Sequence, residues 1–190
     1  MERIIVKSRI SFSSTLVLFT AVLLAAATPA AWAQGRGALD ANAKRVYNRL
    51  VAEVPAAKAV SKQAVAVLVF PKITKAGLVI GGQYGEGVLL MGGKATGYYS
   101  TAGASYGLQA GAQQFGYAMF FMNQAALNAL SQTNGFEVGV GPSVVVVDQG
   151  MAKSATSITM KDDVYAFIFG QRGLMAGIGL QGNKITRLDK

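Results

Sequence analysis

AVAVLVFPKITKAGLVIGGQYGEGVLL, residues Ala64–Leu90, decides the fold. Its first seven residues form a continuous apolar run, which reads as a buried strand that Pro71 stops. Glycines then recur at a fixed stride: Gly77, Gly81 and Gly85, and further on Gly103, Gly107 and Gly111. A stride of four is even, so along a strand each set falls on one face. Glycine weakens a strand interior, so its recurrence calls for a close approach. A sharply coiled sheet, or a small barrel with little interior room, supplies one.

Downstream the pattern stays strand-like. Leu78–Tyr84, Gly87–Met91, Thr96–Tyr99 and Ser105–Gln114 are the next candidate strands, with Gly92-Gly93 as a turn. Phe115, Tyr117, Met119 and Phe121 alternate along Gln114–Phe121, the pattern of a strand with one buried face. Met122–Ser131 reads as a short helix. Asn134-Gly135 signals a turn, and Glu137–Val140, Ser143–Asp148, Ser154–Thr159, Val164–Gly170 and Leu174–Leu180 are further strands. The predicted class is α+β: a coiled antiparallel sheet or small barrel of many short strands, with N-terminal and central helices.

VLVFPKITKAGLVIGGQYGEGVLL (Val67–Leu90), GYYSTAGASYGLQAGAQQFGYAMFFMN (Gly97–Asn123) and GFEVGVGPSVVVVD (Gly135–Asp148) together resemble the SYLF domain family. The resemblance covers the chain after residue 40. It implies a lipid-binding module. Eukaryotic relatives bind phosphoinositides at membranes, largely through a basic amphipathic N-terminal helix, and some fungal relatives engage actin.

Upstream, the first 33 residues have the layout of a secretory signal. Arg3, Lys7 and Arg9 precede an apolar segment, Leu16–Ala27, and Ala31-Trp32-Ala33 offers a cleavage site. The expected mature chain is Gln34–Lys190, a single domain with a basic helical segment (34–63) and a Gly-rich β body (64–190). Its expected location is periplasmic or secreted. The chain contains no cysteine, which rules out disulfides and lipid attachment at a cysteine.

The net charge is +9, unevenly placed. Arg36, Lys44, Arg45, Arg49, Lys58, Lys62, Lys72 and Lys75 face only Asp40 and Glu53 within residues 36–75, whereas residues 76–190 are nearly balanced. Leu39–Val54 reads as an amphipathic helix with Leu39, Ala43, Val46, Tyr47, Leu50 and Val54 on one arc. Asp40 is the candidate N-cap, and Pro55 ends this helix or opens a second over Ala56–Lys62. The apolar arc can pack on the β body or lie on a lipid surface. The candidate lipid-binding residues are Lys44, Arg45, Arg49, Lys58, Lys62, Lys72 and Lys75. Their expected partner is anionic phospholipid at a membrane surface, with a protein partner as the alternative. Export argues against nucleic acid. An outer-membrane barrel is a third reading.

Catalytic and metal chemistry find little to use. With no histidine or cysteine the usual bases, nucleophiles and zinc ligands are missing, and neither an enzyme nor a cofactor is expected. Asp162-Asp163 reads as a solvated turn. Gly177-Ile178-Gly179-Leu180-Gln181-Gly182 fits G-x-G-x-x-G, but too few residues follow for the helix that a dinucleotide site needs.

Overall fold

A computed structural model describes residues 29–77, 80–106, 111–131, 135–147, 160–173 and 180–188. The apolar segment Leu16–Ala27, the strand expected at Ser154–Thr159 and most of Leu174–Leu180 lie outside the described residues, as does Gly107. Arg36–Lys190 form one compact unit and Met1–Gly35 another.

Helices α1 (Pro29–Glu53) and α2 (Pro55–Ser61) come first. They are followed by β1 (Ala66–Gly77), β2 (Ile80–Met91), β3 (Lys94–Tyr106) and β4 (Gly111–Phe121). Helix α3 (Gln124–Ala129) precedes β5 (Phe136–Glu137), β6 (Val144–Val147), β7 (Val164–Gly173) and β8 (Lys184–Arg187). The strands form one curled sheet, a half-barrel, in the order β5-β8-β3-β2-β1-β4-β7-β6. Every pairing is antiparallel except β6 with β7, which is parallel, so the sheet is mixed.

The strands are longer than the sequence pattern suggests. Pro71 does not stop β1: the strand runs through it, and the register slips between Val69 and Lys72 against β2 and between Phe70 and Ile73 against β4. A residue without an N–H fits a central strand only at such an irregularity. The extra residue also resets the period. Phe70 and Ile73 lie three apart, yet both join the same core cluster. β2 likewise merges the expected segments Leu78–Tyr84 and Gly87–Met91. Gly92 and Gly93, both at positive φ (54° and 77°), make the turn into β3.

The sheet is buried on both faces along half its length. On the inner face Leu68, Phe70, Ile73, Phe115, Tyr117, Met119 and Phe121 pack with Leu127 and Leu130 around α3 and with Ile185 of β8. On the outer face Val67, Val69, Val88, Ala118, Phe120 and Phe167 pack with Ala43, Leu50, Ala57 and Val60 of α1 and α2. Phe120 meets Phe167 edge-on at 5.4 Å and Tyr47 of α1 at 6.2 Å.

Glycine provides the room for this packing. Gly85 and Gly87 of β2 are inner-face positions where a Cβ would lie 2.6 Å from the Ile73 side chain and from the Phe70 ring, respectively. Gly77 and Gly81 are on different strands and pair across the β1–β2 hairpin, so the first glycine set is split by a turn and not carried by one strand.

Candidate functional site

Beyond the α1–α2 cover, the outer face of the sheet lies open. Strand register defines what it presents. Arg172, Gln114, Thr74, Tyr84, Ala102 and Lys184 form one cross-strand row over six strands, and all are exposed. The next row is Ala112, Ala76, Gly82 and Ala104, small and exposed. Ile80, 66 % exposed, and Tyr84, 52 % exposed, stand above this smooth patch. Tyr84 Oη donates to Glu86 Oε1 at 3.1 Å. Burial, then that hydrogen bond and the carboxylate's charge, push the Tyr84 phenol up.

α1 and α2 cover the same face of the sheet, so their solvent sides lie on the same side of the molecule as this patch. Lys44, Arg45 and Arg49 on α1, Lys58 on α2 and Lys62 just after it are exposed. Lys72 is exposed too, on the outer face beside the bulge and opposite Glu86 in register. Arg49 Nε pairs with Glu53 Oε1 at 2.8 Å, an i,i+4 surface pair of modest energy. Arg45 donates to Asn42 Oδ1 at 3.0 Å. Six of the seven sequence-predicted cations therefore share one side of the fold.

Lys75 does not join them. It is 5 % exposed and projects to the inner face, so it cannot meet a flat surface. The period held the signal: Lys75 is two residues from Ile73 and shares its face. Arg172 and Lys184 take a place on the outer side that sequence reading missed, since only the register of β7 and β8 puts them there.

The apolar arc of α1 is consumed by the body. Ala43 and Leu50 are buried, and Leu39, Tyr47, Val51 and Val54 pack against the same cluster. Asp40 is no N-cap: α1 starts eleven residues earlier, at Pro29. Its Oδ2 instead accepts from Tyr98 Oη at 3.2 Å, and Arg36 lies over the Tyr98 ring at 5.0 Å. Burial and the Asp40 carboxylate push the Tyr98 phenol up, with Arg36 acting against them. Tyr98 and Tyr99 point to opposite faces, Tyr98 toward the outer cluster and Tyr99 into the inner core. Tyr98 is half-buried and clamps α1 to the sheet.

Asp162 and Asp163 are also more than a solvated turn. Asp163 Oδ1 accepts from Asn123 Nδ2 at 2.8 Å, and its Oδ2 accepts from the Ser143 N–H at 3.0 Å and from Ser143 Oγ at 3.1 Å. Asp162 Oδ2 accepts from Tyr165 Oη at 3.3 Å. Among the described residues no group of three or more His, Cys, Asp or Glu could hold a metal. No described helix is long and apolar enough to cross a membrane.

No curated protein matches the chain in sequence. Residues 102–190 match the family Ysc84, described as Las17-binding protein actin regulator. That match begins within β3 and runs through β8, and it supports the resemblance of Val67–Asp148 to the SYLF (Ysc84) domain family.

Proposed function

We propose that this is an exported, non-catalytic protein that adsorbs to anionic phospholipid surfaces through the outer side of its fold. One observation carries the reading: Lys44, Arg45, Arg49, Lys58, Lys62 and Lys72 are all exposed on that side. Each cation held near an anionic bilayer contributes about 1 kcal/mol. Glu53 and Glu86 offset part of this, so binding is reversible and salt-sensitive. The α1 arc is packed on the sheet, so the helix rests on the surface by charge and does not insert its apolar face. Tyr84 and Ile80 sit where an amphipathic ring and an aliphatic side chain would meet the interface.

Flotation with vesicles tests this. The chain should float with phosphatidylglycerol vesicles and not with phosphatidylcholine vesicles, and added salt should release it. Joint reversal of Lys44, Arg45 and Arg49 to Glu should abolish flotation. Equal flotation with both vesicle types, untouched by the reversal, refutes the reading.

The family's description favours a second reading, a protein partner held on the same cationic side. Cross-linking in an envelope extract with and without lipid separates the two. The outer-membrane barrel gains no support, because helices cover the outer face of the central strands where a lipid-facing band would lie.

A further inference from the structure

Five buried polar or charged side chains occur among the described residues, tyrosines aside: Lys75, Gln83, Thr101, Gln113 and Asn183. All five gather on the inner face of the sheet, at the end remote from α1 and α2. Gln113, Lys75, Gln83 and Gly103 are direct cross-strand neighbours on β4, β1, β2 and β3. Asn183 fills the space above Gly103, which a Cβ there would occupy. Gln83 Nε2 donates to Asn183 Oδ1 at 2.6 Å. One row further in, Tyr117 Oη donates to Thr101 Oγ1 at 2.8 Å and closes the apolar core, and burial pushes this phenol up.

The row is not satisfied internally. Gln113 Oε1 and Asn183 Nδ2 are buried with no hydrogen-bond partner. Lys75 has a partner within the fold and brings a positive charge to the row. Buried polar atoms without partners destabilise a fold, and an apolar set of the same shape would be more stable. The following row is Gly111, Gly77 and Gly81, so no side chain of β4, β1 or β2 stands between these amides and the end of the sheet.

We propose that this row is the floor of a binding site for a small polyol phosphate, distinct from the outer cationic side and independent of it. The ammonium of Lys75 and the amide N–H groups of Asn183 suit phosphate oxygens. The Gln113 carbonyl takes a hydroxyl of the polyol. The same chemistry is offered by free glycerol phosphate and by a glycerophospholipid headgroup.

Thermal unfolding and native mass spectrometry of the full chain test this with three probes: sn-glycerol 3-phosphate, dihexanoylphosphatidylglycerol and glycerol. Stabilisation that grows with the logarithm of probe concentration, with one molecule retained, is expected for at least one phosphate-bearing probe and not for glycerol. Glycerol 3-phosphate acting alone identifies a soluble ligand; action by the dihexanoyl lipid only identifies a headgroup. Gln113→Leu should weaken binding at least tenfold while the unliganded protein keeps or gains stability. No retention of either phosphate probe, equal action by glycerol, or unchanged binding in Gln113→Leu overturns the proposal. Should that variant fail to fold, the three wild-type probes decide. Reversal of Lys44, Arg45 and Arg49 to Glu should leave this binding intact, which separates its failure from that of membrane adsorption.

Discussion

Asn123 holds Asp163 with one end of its amide and caps α3 with the other. Nδ2 donates to Asp163 Oδ1 at 2.8 Å, and Oδ1 accepts from the Ala126 N–H at 2.8 Å. Met122 N–H also donates to the Asp163 carbonyl. Through Ser143, Asp163 reaches the start of β6 as well. These hydrogen bonds to the ionised carboxylate hold it below the ordinary value of 3.8. A depressed carboxyl contributes stability that is present above 3.8 and is lost as pH falls through the folded value. Thermal midpoints measured from pH 7 down to pH 2 should fall at the acid end. Asp163→Asn should lower the midpoint at pH 7 and flatten the acid limb. Asn123→Ala should cost about 1 kcal/mol at pH 7 through the cap alone.

Gly82 and Gly85 lie three residues apart on β2 and should respond in opposite directions to the same change. A Cβ at Gly85 would lie 2.7 Å from the Lys72 carbonyl oxygen, whereas at Gly82 it meets nothing within 4 Å. Gly85→Ala should destabilise by about 1–3 kcal/mol. Gly82→Ala should be neutral or stabilise by about 0.5 kcal/mol. Urea unfolding of both variants checks this.

Leu50 and Arg45 separate the two sides of α1. Leu50→Ala removes buried contacts and should cost about 2–4 kcal/mol in urea unfolding. Arg45→Glu should change stability by less than about 0.5 kcal/mol and weaken flotation with anionic vesicles. An Arg45 variant that unfolds the protein would show that its role is structural.

Tyr98→Phe keeps the ring under Arg36 and removes the hydroxyl from Asp40. Asp40 Oδ1 is already buried without a partner, so the carboxylate loses its bond at Oδ2. The expected loss is about 1–2 kcal/mol, read as a lower thermal midpoint. Joint Tyr98→Phe and Asp40→Leu should recover part of it, because both halves of the interaction are then gone.

Local patterns were the readable part of the sequence. The alternation of Phe115, Tyr117, Met119 and Phe121 placed all four on one face, where they lie. Gly92-Gly93 marked its turn, and Pro55 marked the break between α1 and α2. What escaped depends on partners far along the chain. Pro71 looked like a terminator because nothing local shows that β2 and β4 both accommodate a bulge there. The parallel pairing of β6 with β7 leaves no mark on VVVV, whose composition suits either direction. β8 is four residues with a single buried member, Ile185, and only its slot between β5 and β3 makes it a strand. The outer cationic side was legible because it is mostly one contiguous segment, and its members from β7 and β8 were not.

Tyr98 is touched from both directions of the chain: Asp40 takes its hydroxyl, and the Leu188 N–H donates to its carbonyl at 2.8 Å. β5 in turn reaches the sheet by pairing with β8. Synthesis therefore delivers a strand near residue 100 long before its neighbour near residue 185 exists. The polypeptide has to wait for that late segment to leave the ribosome before one flank can zip shut. Such a delay leaves that flank of the nascent sheet open until synthesis is nearly finished.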